Sequence, residues 1–180
     1  AGQPRDQPDA KTETVWRQAD KYKVPRICFI NKMDRAGADF YRCIDMMKSR
    51  LKARPLPIHL PIGSEDQFKG HIDLIDMNAV IFDDESMGAE FKVIDIPENM
   101  LEEATAARAY LIETVAEQDE KLLEKYLNGE ELTRDEIIAG ARKGCLAMAA
   151  IPVLCGAAFK NKGGQALLDC VIHFLPPPLD

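Results

Sequence analysis

Two unbroken apolar runs, each followed by polar or small residues, stand out in the hydrophobic pattern of this chain. The first covers Ile27–Ile30, and the second begins at Ile151 and ends near Cys155. Such runs are typical of strands that are buried on both faces of a parallel sheet covered by helices. Because ligands bind beyond the carboxyl ends of such strands, the residues that follow each run are candidates for a binding site.

Helical periodicity lies on either side of both runs. It predicts helices over 12–23, 38–53, a long segment from 98, 119–127, 133–149 and 164–175. Thr133 and Glu136 have the spacing of a capping box. The pattern predicts two buried stripes, one at Phe40, Ile44, Met47 and Leu51, the other at Leu168, Val171, Ile172 and Leu175.

Between the two runs, the pattern changes to short alternating segments separated by proline and glycine. Strands are predicted over 57–62, 70–75, 79–83 and 89–96. The sequence therefore predicts an α/β fold in which an α+β insertion interrupts a parallel sheet. We assign 1–11 to a flexible lead-in, 12–54 and 149–180 to the sheet domain, and 55–148 to the inserted subdomain.

The first run ends at an Asn-Lys-x-Asp motif formed by Asn31, Lys32 and Asp34, with Met33 between them. A single carboxylate can accept both N1–H and the exocyclic amine of guanine, whereas adenine lacks the N1–H donor. The Asn31 amide can donate to the base N7, and the Lys32 stem can lie over the purine ring. The alternative is a strand that ends in a polar, capped turn before a helix.

The second run leads into the small-residue loop Gly156-Ala157-Ala158, followed by Phe159. A loop of glycine and alanine lets backbone N–H groups approach a ligand closely, and guanine O6 requires one such donor. An ordinary strand-to-helix turn is the alternative for this loop taken alone. Its pairing with the first motif favours a guanine site.

Composition and charge limit the compartment, the partners and the kinds of site that this chain could have. The chain has 180 residues, a net charge of −7 and five cysteines without Cys-x-x-Cys spacing, which indicates a reducing cytoplasm. Residues 83–136 carry a net charge of −12 and the remainder +5. This acidic block argues against nucleic-acid contact through that face and suits a basic partner or solubility. The three histidines lack metal-ligand spacing, so no metal or catalytic residue is assigned.

Residues 31–35 resemble the guanine-specificity motif of translational GTPases. Three further segments, 155–163, 12–19 and 126–133, resemble one family of these GTPases, bacterial elongation factor G. The likeness covers about Thr12 to Asp180, although Ala157 stands where the family usually has serine. It implies a partial P-loop-GTPase-type parallel sheet and GTP or GDP binding by Asn31, Lys32, Met33, Asp34, Ala157, Ala158 and Phe159.

The resemblance also implies what the intact factor does. It would hydrolyse GTP with Mg²⁺ and drive the movement of tRNA and mRNA through the ribosome, contacting these RNAs through domains outside this chain. The chain has no Gly-x-x-x-x-Gly-Lys-Ser/Thr phosphate loop, so we expect it to be inactive alone. In the family, the insertion contacts the ribosomal stalk protein; no membrane contact is expected.

Two alternatives remain open. In one, the chain's own activity is stalk-protein binding through the acidic insertion. In the other, the chain comes from a related release or ribosomal-protection GTPase.

Overall fold

The computed structural model describes residues 10–83, 86, 90–157 and 162–177. Its helices are α1 Ala10–Lys21, α2 Phe40–Ser49, α3 Leu101–Ala116, α4 Glu120–Leu127, α5 Arg134–Leu146 and α6 Gly164–Phe174. Its strands are β1 Cys28–Ile30, β2 Pro55–Pro57, β3 His59–Ile62, β4 Gly70–Asp73, β5 Asn78–Phe82, β6 Phe91–Ile94 and β7 Ile151–Cys155. The predicted α/β architecture is confirmed.

The parallel sheet has the order β1–β7–β2, so the two apolar runs form neighbouring strands, as predicted. Ile30 at the end of β1 lies opposite Cys155 at the end of β7. Every residue of β7 is buried because this strand has a neighbour on each side. Among the described residues β1 pairs only with β7, and its side chains are only half-buried, so the prediction that it is buried on both faces was wrong.

A buried residue, Ile58, joins the two sheets of the molecule. Its N–H donates to Val153 O (3.0 Å) in the parallel sheet, and its carbonyl accepts from Leu74 N–H (3.0 Å) beside the antiparallel sheet. The predicted strand over 57–62 is therefore divided at Ile58. Residues 55–57, which the sequence assigned to the insertion, pair with β7 in the parallel sheet.

The antiparallel sheet has the order β3–β4–β5–β6. β3, β4 and β6 are shorter than the predicted segments, and β5 is shifted by one residue. Residue 89, where the last of these strands was predicted to begin, lies outside the described residues. The Arg108 guanidinium on α3 donates to the carbonyls of Leu74 (2.7 Å) and Ile75 (2.6 Å). These bonds fix the helical part of the insertion to the end of β4.

Local capping signals predicted the start of α5 but not that of α1, which was predicted over 12–23 and runs from Ala10 to Lys21, so that residues 10 and 11 of the predicted flexible lead-in are helical. Thr133 and Glu136 form the expected capping box at the start of α5. Asp119 caps α4, and the Asp39 carboxylate caps α2 by accepting from Arg42 N–H. The predicted stripe on α2 is confirmed for Phe40, Ile44 and Met47, whereas Leu51 lies beyond the end of the helix.

The prediction of a buried stripe on α6 was wrong. Leu168 is 59% exposed and Ile172 is 73% exposed, whereas Cys170 and Phe174 are buried. The helix is apolar on more than one face, so periodicity alone could not identify the face that packs. Arg142 on α5 orients the helix by donating to the carbonyl of Leu175 (3.0 Å).

Two histidines form a buried stack on the antiparallel sheet, which the sequence did not predict. The rings of His59 on β3 and His71 on β4 have centroids 4.1 Å apart and are nearly parallel. Both residues are almost inaccessible, and neither Nδ1 atom has a hydrogen-bond partner among the described residues. Burial lowers the pKa of His59 to about 4, and burial together with the neighbouring His59 lowers the pKa of His71.

This stack makes stability depend on pH. Below pH 6.5 the unfolded chain binds protons that the folded His59 does not, so the free energy of unfolding falls from pH 6.5 toward pH 4. Because a tenfold change in proton affinity corresponds to about 1.4 kcal/mol, His59 alone contributes roughly 3 kcal/mol to this loss. Urea unfolding of the wild type and of His59→Phe, repeated between pH 4 and pH 6.5, gives the free energy of unfolding at each pH. This free energy should depend less steeply on pH in the variant. Equal slopes would contradict a neutral, buried His59.

Candidate functional site

The Asn-Lys-x-Asp motif forms the turn that follows β1. Asn31 and Lys32 are exposed and Asp34 is half-buried, whereas Met33 is only 1% exposed and packs into the core. Lys32 has a φ of +59°, which lies in the left-handed region. Arg35 N–H donates to Lys32 O (3.1 Å) and closes the turn. The buried Met33 thus anchors a loop whose polar side chains face outward.

Backbone hydrogen bonds hold this loop against the loop that follows β7. Gly156 N–H donates to Ile30 O (3.0 Å), and Met33 N–H donates to Gly156 O (3.1 Å). These bonds extend the contact between β1 and β7 beyond the ends of both strands. The two segments selected from the sequence therefore lie side by side at the carboxyl edge of the sheet.

The second loop is closed at its base by a pair of backbone bonds. Ala157 N–H donates to Lys162 O and Lys162 N–H donates to Ala157 O, both at 3.0 Å. Ala157 is buried, and the buried Lys162 extends its Nζ toward Phe68 O (3.4 Å). Ala158 and Phe159, which were predicted to contact the base, lie outside the described residues.

Glu65, a residue that the sequence did not single out, connects the first loop to the insertion. Glu65 N–H donates to Met33 O (2.9 Å), and its carboxylate Oε1 accepts from Gly37 N–H (3.1 Å). Glu65 has a φ of +57° and Gly63 a φ of +76°, so the connecting turn is left-handed at both positions. The only sequence signal was the Gly-Ser pair before the acid, which marks a turn but not its partner.

The motif loop borders a cleft of about 730 Å³. Its lining comes from the end of β1, the motif loop and the start of α2, namely Ile30, Asn31, Lys32, Met33, 35–39 and Cys43. The volume lies within the range of small-molecule sites, about 300–1,000 Å³. Asn31 and Lys32 thus present an amide and a cation to a space that is large enough for a nucleotide base.

The cysteines near the site have the character of core residues. Burial raises the pKa of Cys28 to about 11, and burial also raises the pKa of Cys155 above its ordinary value. Both thiols are therefore protonated at neutral pH, and neither has the thiolate that nucleophilic chemistry requires.

The described part of the chain lacks the features of two other kinds of site. Within it, no group of three or more His, Cys, Asp or Glu side chains is arranged to hold a metal ion. Nor does any of its helices combine the length and apolar character that a bilayer crossing requires.

Comparisons with known proteins identify the family and the fold of this chain. Residues 3–177 match the family described as the elongation factor Tu GTP binding domain. The fold is also similar to a crystal structure of a protein from Thermus thermophilus, with a TM-score of 0.83 and 28% sequence identity. That match covers 96% of this chain and 25% of the Thermus chain, so this chain spans about a quarter of its length.

Close packing of the two loops predicts a severe effect of Gly156→Ala. An added Cβ would lie 2.4 Å from Lys162 O and 2.5 Å from Phe29 Cζ, so the backbone at Lys162 and the ring of Phe29 would both have to shift. For Gly156→Ala we expect a loss of about 1–3 kcal/mol in the free energy of unfolding, measured by urea titration. Gly144→Ala is the matched control, because its added Cβ would meet only the flexible side chain of Gln118, at 3.2 Å. A smaller loss for Gly156→Ala than for the control would contradict the close packing.

Proposed function

Because the chain belongs to the elongation factor Tu GTP binding domain family, we propose that it is part of a translational GTPase resembling elongation factor G. Membership in this family implies guanine-nucleotide binding. In the proposal, the intact factor promotes the movement of tRNA and mRNA through the ribosome in the cytoplasm, coupled to GTP hydrolysis. The run Phe159-Lys160-Asn161-Lys162-Gly163 favours this factor over related release or ribosomal-protection GTPases.

One observation supports the guanine site most strongly, namely the backbone bonding of Met33 to Gly156 at the carboxyl edge of the sheet. In the proposal, the Asp34 carboxylate accepts from N1–H and the exocyclic amine of guanine. Asn31 donates to N7, and the backbone of the loop that contains Ala157, Ala158 and Phe159 donates to O6. A charge-assisted, bidentate pair of this kind rejects adenine because one donor would be missing.

Phosphate chemistry is assigned to the intact factor and not to this chain. The chain contains no Gly-x-x-x-x-Gly-Lys-Ser/Thr sequence, which in P-loop proteins supplies the backbone cradle for phosphates and a hydroxyl ligand for Mg²⁺. When bound, Mg²⁺ would neutralise charge on the β- and γ-phosphates. The residues of this chain would bind and select the base, and we propose that the chain alone hydrolyses no GTP.

A second activity is proposed for the acidic insertion, namely binding of the ribosomal stalk protein. On α4, Leu127 is 73% exposed and Tyr126 is 39% exposed, and the acidic side chains of Glu120 and Glu124 are exposed on the same short helix. The helix also carries Lys121 and Lys125, so the charge that would attract a basic partner comes from the whole acidic block, which has a net charge of −12 over residues 83–136. This observation favours a docking function over a solvated face.

Substitution of Asp34 tests the base assignment in the intact factor. Asp34→Asn replaces one acceptor with a donor, so preference should move from guanine to xanthine, with GDP affinity falling at least about a hundredfold. Isothermal titration calorimetry, in which GDP and XDP compete for the site, measures the ratio of the two affinities. Asp45→Asn, a matched substitution at an exposed residue of α2 outside the cleft, should leave base preference unchanged. An unaltered preference in Asp34→Asn would exclude this role for Asp34.

Charge reversal tests the docking surface on α4. Combined Glu120→Lys and Glu124→Lys should weaken capture of the stalk protein's carboxyl-terminal domain by about tenfold or more, mainly by slowing association. Lys121→Glu, on the same helix, should strengthen it. Surface plasmon resonance at increasing salt measures both effects, and binding that persists unchanged at about 0.5 M salt would contradict an electrostatic origin.

A further inference from the structure

The antiparallel sheet ends in an apolar edge formed by β6, which pairs with no strand beyond β5 among the residues that the structure describes. All four residues of β6 are exposed, and Phe91, Val93 and Ile94 remain 50%, 58% and 43% accessible. Proteins commonly protect such an edge with proline, charges or a covering element. Here the strand contains one charged residue, Lys92, and no proline.

The hydrogen-bond register shows which backbone groups of this edge are available. Asp83 N–H donates to Glu90 O (3.0 Å), and antiparallel ladders alternate between bonded and non-bonded residues. Lys92 and Ile94 therefore bond to β5. The N–H and C=O groups of Phe91 and Val93 point away from the sheet, where a further strand would pair.

An apolar groove lies beside this edge. A cleft of about 660 Å³ separates the sheet face from α6, and its apolar lining includes Phe82, Phe91, Leu167 and Leu168. Leu168 is 59% exposed, although it belongs to the helix face that the sequence predicted to be buried. Alternate side chains of an added strand would enter this groove, because side chains alternate between the two faces of a sheet.

Charge around the edge indicates what the added strand would contain. Glu90, Asp95 and Glu98 are exposed or half-buried at or just beyond the ends of β6, and Lys92 is the one basic side chain of the strand. Lysine or arginine in a ligand would be attracted by these carboxylates. A second copy of β6 would bring the same acidic groups together, which disfavours pairing between two copies.

We propose that the β6 edge binds an extended peptide segment of a partner protein, in which apolar residues alternate with lysine or arginine, as a fifth strand of the antiparallel sheet. Main-chain hydrogen bonds to Phe91 and Val93 would supply affinity, and the groove beside Leu168 would select apolar side chains. This surface shares no residue with the cleft beside the motif loop or with the apolar patch on α4.

The test uses the 180-residue chain and a capped heptapeptide in which valine and lysine alternate. Amide hydrogen exchange, followed by NMR, should slow about tenfold or more at Phe91 and Val93 when peptide is bound, since one new bond forms at each amide. Lys92 and Ile94, which already bond to β5, should change less. The same peptide with glutamate in place of lysine should bind more weakly.

Val93→Pro is the most informative variant, because it removes an outward N–H without removing a bond to β5. Proline is tolerated at such edge positions, so far-UV circular dichroism should remain that of the wild type. Peptide affinity should fall by about tenfold, equivalent to about 1.4 kcal/mol. Val93→Ala keeps the N–H and should lose less affinity.

Three outcomes would overturn the proposal. The first is the absence of binding at millimolar peptide, and the second is binding without slower exchange at Phe91 and Val93. The third is a dimer, detected by analytical ultracentrifugation, that protects these amides in the absence of peptide. The exchange pattern of the wild-type chain distinguishes these outcomes even if Val93→Pro fails to fold.

Discussion

The structure depends on a backbone ladder that continues beyond the ends of the neighbouring strands β1 and β7. β1 and β7 are parallel neighbours, and the bonds from Gly156 to Ile30 and from Met33 to Gly156 carry their contact into the following loops. A loop on its own would be mobile, and fixing it costs conformational entropy. Here the core packing of Met33 and the small size of Gly156 stabilise the loops side by side. A recognition site for a flat base needs this pre-organisation.

Hydrogen bonds also link the parallel sheet and its loops to the insertion. Ile58 bonds to both sheets, and Glu65 returns from the insertion to bond Met33 and Gly37. The turn between β3 and β4 is therefore connected to the motif loop by one backbone hydrogen bond and one bond from the Glu65 carboxylate. Any movement of the insertion would displace this loop, because packed and hydrogen-bonded elements transmit displacement.

Local signals predicted much of this arrangement, and contacts between distant residues account for what they missed. The capping box of Thr133 and the apolar run of β7 are determined within a few residues, so the sequence was sufficient for them. The packing face of α6 depends on its partners, and the prediction that Leu168 is buried failed. Glu65 and the stack of His59 on His71 arise from chain segments that meet only after folding, so no sequence spacing indicated them.

The most direct measurement of the proposed base recognition is a crystal structure of the intact factor with GDP bound. We expect both donors of the guanine edge to lie within hydrogen-bond distance, about 2.7–3.2 Å, of the Asp34 carboxylate. We also expect O6 to accept from a backbone N–H of the loop after Gly156. A base bound elsewhere, or Asp34 turned away from it, would contradict this recognition.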